Sequence, residues 1–181
     1  MARKYSYYPS FDGGKAQEGT LKLVDLCKKR WKCGSLGVYQ VRLMKNDKTV
    51  GMKLTDPDAG KWMSTHATGA AADISYPSEK VAREMWDWFL GSSVIDGKKV
   101  EHSEVLGIEE IHWYAFGDFG CGYRCSRGEG KKGSKIFTKS DNAGSYQGNP
   151  MWLHVEISPE MAKDAAKFEA AWRSLPKPNA A

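Results

Sequence analysis

Hydrophobic residues change period along this chain, and the changes divide it into helical and extended segments. From Leu21 to Trp31 the apolar positions Leu21, Val24, Cys27 and Trp31 recur at intervals of three and four. That is one face of a helix, and Gly34 is a fitting stop. Ser78 can cap a second helix over Glu79 to Leu90, with Val81, Met85, Trp88 and Phe89 turned inward. Ser158 and Pro159 open a terminal helix running to Trp172, with proline at its first helical position. Elsewhere the period falls to two. Val38 to Leu43 reads as a short strand, Asn46-Asp47-Lys48 as a turn, and Thr49 to Leu54 as a segment pairing back in a hairpin. A further strand is expected around Glu110-Ile111-His112-Trp113, and Asp96-Gly97 is a turn signal. Met151 to Ile157 alternates again, with Trp152, His154 and Glu156 on one face.

A length of 181 residues suits one domain. Residues 1–18 read as an irregular N-terminal arm, 19–175 as the domain, and 176–181 as a tail beginning at Pro176 and including Pro178. The Gly-rich stretch 117–150 reads as a long loop or a decorated hairpin, a length uncommon unless it has a function. The 41% hydrophobic and 12% aromatic content excludes a disordered chain. No apolar run approaches the ~18 residues of a membrane span. Tyr5-Ser6-Tyr7-Tyr8-Pro9 follows the basic Arg3-Lys4 where a signal peptide would have its apolar core, so none is expected.

With 27 Lys and Arg against 22 Asp and Glu, the formal charge of +5 favours anionic partners. The basic clusters at Lys28, Lys29, Arg30 and at Lys131, Lys132, Lys135 lack interleaved aromatics, so specific nucleic-acid binding is not expected. The cysteines fall in two close pairs, Cys27 with Cys33 and Cys121 with Cys125, and neither has C-x-x-C spacing. They read as reduced thiols; a disulfide within a pair and a four-cysteine zinc site are the alternatives.

Two imidazoles and one carboxylate make a three-ligand set for a catalytic zinc. His66 and Asp73 are separated by Gly69 and small alanines, which let the backbone bend so that both side chains converge on one ion. His154 sits mid-strand, a rigid support for a third ligand.

Ser64, His66, Gly69, Ala71 and Asp73 match the string S-x-H-x-x-G-x-A-x-D at every fixed position. Average residue usage gives a chance match about once in ten thousand chains of this length. The string resembles that of the zinc peptidases comprising D-alanyl-D-alanine carboxypeptidases, vancomycin-resistance D-Ala-D-Ala dipeptidases and bacteriophage L-alanyl-D-glutamate endopeptidase endolysins. Their fold recurs in the hedgehog signalling domain. The resemblance spans roughly residues 20–160. It includes Trp152-Leu153-His154-Val155-Glu156-Ile157, and Gly107-Ile108-Glu109-Glu110-Ile111 looks like the strand preceding that motif. It implies Zn²⁺ held by His66, Asp73 and His154, with Ser64 lining the substrate site and Arg42 holding a substrate carboxylate or carbonyl.

The chain departs from this family at the catalytic base. Members carry Glu or Asp three residues before the last His, or His two before it; here those positions are Met151 and Trp152. Either another group is the base, with Glu156 and His112 as candidates, or the protein keeps the cleft without fast turnover. The expected fold is therefore α+β, a small antiparallel sheet with helices packed on one side and a zinc cleft over the sheet. The expected activity is hydrolysis of an amide bond in peptidoglycan peptides, with Trp62, Trp113 and Trp152 walling the cleft. Without a signal peptide, the expected setting is a host cytoplasm with release to the cell wall through a holin, or a virion. The alternative is a cell-wall-binding or virion structural protein alongside other virion proteins.

Overall fold

A computed structural model describes residues 2–141 and 150–177. Residues 142–149 of the Gly-rich stretch, Pro178 and the rest of the tail lie outside the described residues. Helix α1 (Glu18–Trp31) leads into an irregular segment, then α2 (Ala59–Trp62), a 3-10 turn (Thr65–Thr68) and β1 (Ala71–Ser75). Next come α3 (Glu79–Phe89), β2 (Ser92–Ile95), β3 (Lys98–Glu101), α4 (His102–Val105) and β4 (Ile108–Trp113). The chain closes with β5 (Cys121–Arg124), β6 (Ser134–Ile136), β7 (Trp152–Ile157), α5 (Pro159–Lys163) and α6 (Ala165–Ser174). The architecture is α+β.

The main sheet has the order β1-β7-β4-β5-β6, every pair antiparallel. Directly opposed residues in such a sheet share a face. One face carries Leu153, Val155, Ile157, Ile111 and Trp113, all fully buried, and merges with Leu23, Met85, Phe89 and Phe168 of the helices in one apolar core. Trp31, Trp88, Phe89 and Trp172 cluster there with ring centroids 4.5–6.2 Å apart, locking α1, α3 and α6 together. The other face carries Asp73, His154, Glu156, Glu110, His112 and Arg124.

Several expectations change. Val38 to Leu43 is not a strand: it makes a single bridge, Leu43 with Met63, and Gly37 just before it makes another, with Asp73. Its backbone groups go instead to the segment that carries His66, with Gln40 N–H donating to His66 O and Arg42 O accepting from Ser64 N–H. Nor does Thr49 to Leu54 form a hairpin. Asn46 and Thr49 make a reciprocal capping box that winds Asp47–Thr49 into a 3-10 turn, and Gly51 then turns away at φ 77°. Helix α1 ends at Lys32 in the left-handed conformation, before Gly34. The terminal helix is two helices, because Asp164 leaves helical geometry and caps α6 by accepting from Lys167 N–H. Asp96 and Gly97, both with positive φ, make the tight turn joining β2 to β3. The Gly-rich stretch contributes β5 and β6, so its described part is a decorated hairpin.

The N-terminal arm is irregular but pinned. Arg3 N–H donates to Cys125 O, and its guanidinium reaches the buried Glu129 and the carbonyls of Ser103 and Ile108. Tyr7 is buried and donates to Ile157 O. The four cysteines are buried free thiols. Burial pushes Cys33 and Cys125 up to about 11 and Cys121 to about 12. Among the described residues no helix is long and apolar enough to cross a membrane.

Candidate metal centre

The string Ser64 to Asp73 folds as a turn followed by an edge strand, and each fixed position has a physical task. Ser64 caps the 3-10 turn, its Oγ accepting from His66 N–H at 3.4 Å. His66 follows in the first turn. Gly69 ends the turn at φ 72°, where a Cβ would also lie 2.0 Å from Lys15 O. Ala71 pairs with Glu156, and its small side chain shares the face of Asp73. Asp73 stands directly opposite His154, and His154 directly opposite His112. The register thus sets Asp73, His154 and His112 in one row across three adjacent strands, with Ala71, Glu156, Glu110 and Arg124 in the next row.

His66, Asp73 and His154 each offer one ligand atom, and these atoms lie within 4.8 Å of one another. His66 Nε2 is 3.2 Å from Asp73 Oδ2, and His154 Nδ1 is 2.9 Å from Asp73 Oδ1. Tetrahedral donors bonded at about 2.0–2.1 Å stand about 3.4 Å apart, so little adjustment is needed to hold an ion. The donor atoms also suit a cation. His66 Nδ1 lies 3.0 Å from Val38 O, which can only accept, so the proton sits on Nδ1. Nε2 then carries a lone pair, is buried, and has no hydrogen-bond partner although a carboxylate oxygen faces it. A lone pair aimed at a carboxylate is unfavourable unless a cation lies between them. These three residues could hold a metal ion.

His154 sits between two carboxylates, with Nε2 2.9 Å from Glu156 Oε1. Burial alone lowers its affinity for protons, but the hydrogen bonds to Asp73 and Glu156 outweigh burial and lift its pKa to about 10. Burial likewise raises Asp73, and the imidazole of His154 overcomes it, holding Asp73 well below the usual carboxylate range.

The other expected site residues are placed as follows. Glu156 is 2% exposed and lies behind His154, its second oxygen accepting from Tyr5 Oη at 2.7 Å. His112 shares the site face, its ring centroid 6.0 Å from that of His154. His112 Nε2 is 3.2 Å from Glu110 Oε1, and Nδ1 is 3.2 Å from Tyr114 Oη. Ser64 is buried as the turn's cap. Arg42 donates to Gln40 Oε1 and Leu43 O, stands close enough to Tyr114 for its charge to act on that phenol, and lines an open groove with Met44, Met52 and Leu54. Trp152 is on the site face beside Tyr114, at 6.0 Å between centroids. Trp62 stacks under Lys48. Trp113 does not wall the cleft: it is fully buried in the core against Trp86, because His112 before it takes the site face.

Four neighbours went unforeseen. Glu110 and Tyr114 are two residues either side of His112, a spacing that marks a shared strand face. Arg124 bonds Glu110 through Nε and Nη2 at 2.8 and 2.7 Å, and with His112 it holds that buried carboxylate low against the upward push of burial. Tyr5 comes from the arm and carries no local signal. No protein-family model matches the chain, and no curated protein or solved structure does.

Proposed function

We propose that this chain is a zinc peptidase of the D-Ala-D-Ala carboxypeptidase and phage endopeptidase type, with a hedgehog-like fold, cutting an amide bond in peptidoglycan peptides. The observation that carries this reading is the convergence of His66 and Asp73 with His154, 81 residues beyond Asp73, around an unpartnered buried imidazole nitrogen. His66 Nε2, Asp73 and His154 Nδ1 would hold the zinc. Zinc supplies polarisation of the scissile carbonyl and activation of water.

The chain's own residues supply the rest. Glu156 accepts from His154 Nε2–H and so keeps the Nδ1 lone pair turned toward Asp73. With almost no exposure, Glu156 orients a ligand and does not exchange protons with substrate, whereas the His112 side chain is 22% exposed. Met151 and Trp152 have no group that titrates near neutral pH. Among the described residues, His112 is the side chain on the site face that we assign as proton carrier. It takes a proton from the attacking water and returns it to the amine released when the C–N bond breaks. Glu110 stabilises the imidazolium formed meanwhile, and Arg124 keeps Glu110 ionised. Arg42 receives a substrate carboxylate, and Trp152 with Tyr114 flanks the peptide. The +5 charge favours adhesion to anionic wall polymer, in keeping with a phage lysis or virion protein.

Met151 and Trp152 also favour a second reading, a wall-binding or virion structural protein that keeps the metal and has lost turnover. Metal analysis with digestion of purified cell walls separates the two. About one zinc per chain with release of new amino termini supports the peptidase. Zinc without release, even at high protein concentration, supports the binding protein, and a chain that takes up no zinc sinks both.

A further inference from the structure

We propose that the N-terminal arm is part of the metal centre and that Tyr5 is its positioning residue. The proposal rests on the metal reading of His66, Asp73 and His154. Tyr5 is the outermost link of a hydrogen-bonded line: Tyr5 Oη donates to Glu156 Oε2 at 2.7 Å, Glu156 Oε1 lies 2.9 Å from His154 Nε2, and His154 Nδ1 lies 2.9 Å from Asp73 Oδ1. The same hydroxyl is 3.5 Å from Oγ1 of Thr65, the residue before His66, so it touches both ligand-bearing elements.

The line matters because Glu156 is a buried carboxylate. An ionised oxygen without donors inside a protein is costly, and it turns toward whatever donor it can find. Tyr5 satisfies Oε2 and thereby leaves Oε1 for His154, which sets the ring's tautomer and the direction of its Nδ1 lone pair. The arm is built to hold Tyr5 there. Arg3 anchors one side of it on Cys125 O and Glu129, and Ser6 anchors the other, its N–H and Oγ both donating to Glu109 at 2.7 Å. Arg124 lies 4.6 Å over the Tyr5 ring while bonding Glu110. Further on, Gly13 N–H donates to Ala67 O and Gln17 N–H to Gly69 O, so the arm also fixes the turn that carries His66.

The experiment is zinc affinity by chelator competition, with the d–d spectrum of the cobalt-substituted protein as a second readout. Tyr5→Phe keeps the ring under Arg124 and removes only the hydroxyl. It is expected to weaken zinc about tenfold, the lower end of the range for an outer partner of a metal ligand, and to shift the cobalt spectrum. Tyr7→Phe removes a neighbouring hydroxyl that donates to the backbone carbonyl of Ile157 and makes no hydrogen bond to Glu156 or to a ligand side chain. It is expected to bind zinc within about twofold of the parent, even where stability falls as for any lost buried hydrogen bond. In a Glu156→Gln background, Tyr5→Phe is expected to add less than about twofold, since the link it acts through is already broken. A parent chain that binds zinc and a Tyr5→Phe variant that binds it equally well would overturn this proposal and leave the metal reading standing. Equal losses in Tyr5→Phe and Tyr7→Phe would also overturn it, by making the effect general to the arm. A parent that binds no zinc removes the metal reading and this proposal with it.

Discussion

On the metal reading proposed above, zinc and a proton would compete for the same atom of His154, and that competition can be counted. In the metal-free chain both ring nitrogens face carboxylates at 2.9 Å, Asp73 on one side and Glu156 on the other. Burial opposes the charge, but the two carboxylates win and raise the imidazole from 6.5 to about 10. A difference of that size is worth roughly 5 kcal/mol. A metal needs Nδ1 free of its proton. At pH 8 an ordinary imidazole is already neutral, whereas His154 still carries both protons. Zinc binding at pH 8 is therefore expected to release about one proton, and apparent affinity is expected to rise about tenfold per pH unit between pH 7 and 9. Titration calorimetry in buffers of different ionisation enthalpy counts the proton. A release near zero at pH 8, or a flat affinity profile, would refute the picture of a doubly flanked His154.

The same linkage fixes the sign for folding. A raised pKa stabilises the metal-free fold fully below about 6.5, and that stability is lost as pH climbs through about 10. Asp73 runs the other way: its contribution is present above its ordinary 3.8 and disappears as pH falls below that value. Metal-free protein is expected to lose up to about 1.4 kcal/mol per pH unit between pH 7 and 9.5. Zinc-loaded protein is expected to lack that alkaline loss, which urea unfolding at matched pH would read.

Three further perturbations test the site. His112→Ala is expected to lower turnover of cell-wall peptides by at least about a hundredfold with zinc affinity unchanged; equal turnover would exclude His112 as the proton carrier. Gly122→Ala puts a Cβ 2.4 Å from Phe137 Cζ and 3.0 Å from His112 Cδ2, so it is expected to displace that ring and lower kcat while zinc stays bound. Gly69→Ala meets both a left-handed backbone and Lys15 O, and is expected to cost about 2 kcal/mol or more in urea unfolding.

The candidate metal group was legible in the sequence because the turn that carries most of it is local. Ser64, His66, Gly69, Ala71 and Asp73 lie within one turn and one short strand, so their spacing encodes their geometry. The alternation around His154 gave its face for the same reason, and the amphipathic period of α3 gave its core; in α1 the expected Val24, Cys27 and Trp31 are buried, but Leu21 is exposed. The failures are cases where a tertiary partner outbid a local pattern. Val38 to Leu43 alternates like a strand, yet its Gln40 N–H and Arg42 O are claimed by the turn that carries His66 and its cap. β1 was not foreseen as a strand because Ala71 and Ala72 have little strand preference; pairing with β7 makes it one.

What no local pattern could show is the second row of the sheet. Glu156, Glu110 and Arg124 become neighbours only when β7, β4 and β5 pair in this register, and a slip of one residue would turn every one of them into the core. The β4–β7 register shifts between Ile108 and Glu110, which takes Glu109 out of the pairing and gives it to Ser6 of the arm, while Glu110 faces His112. That one irregularity lets consecutive glutamates do different jobs, Glu109 anchoring the N-terminal arm and Glu110 contacting His112. On the peptidase reading, the missing carboxylate before His154 would be answered by carboxylates beside and behind the His66, Asp73 and His154 group: Glu110 contacts His112 and Glu156 contacts His154, so that chemistry would be distributed over three strands and the arm.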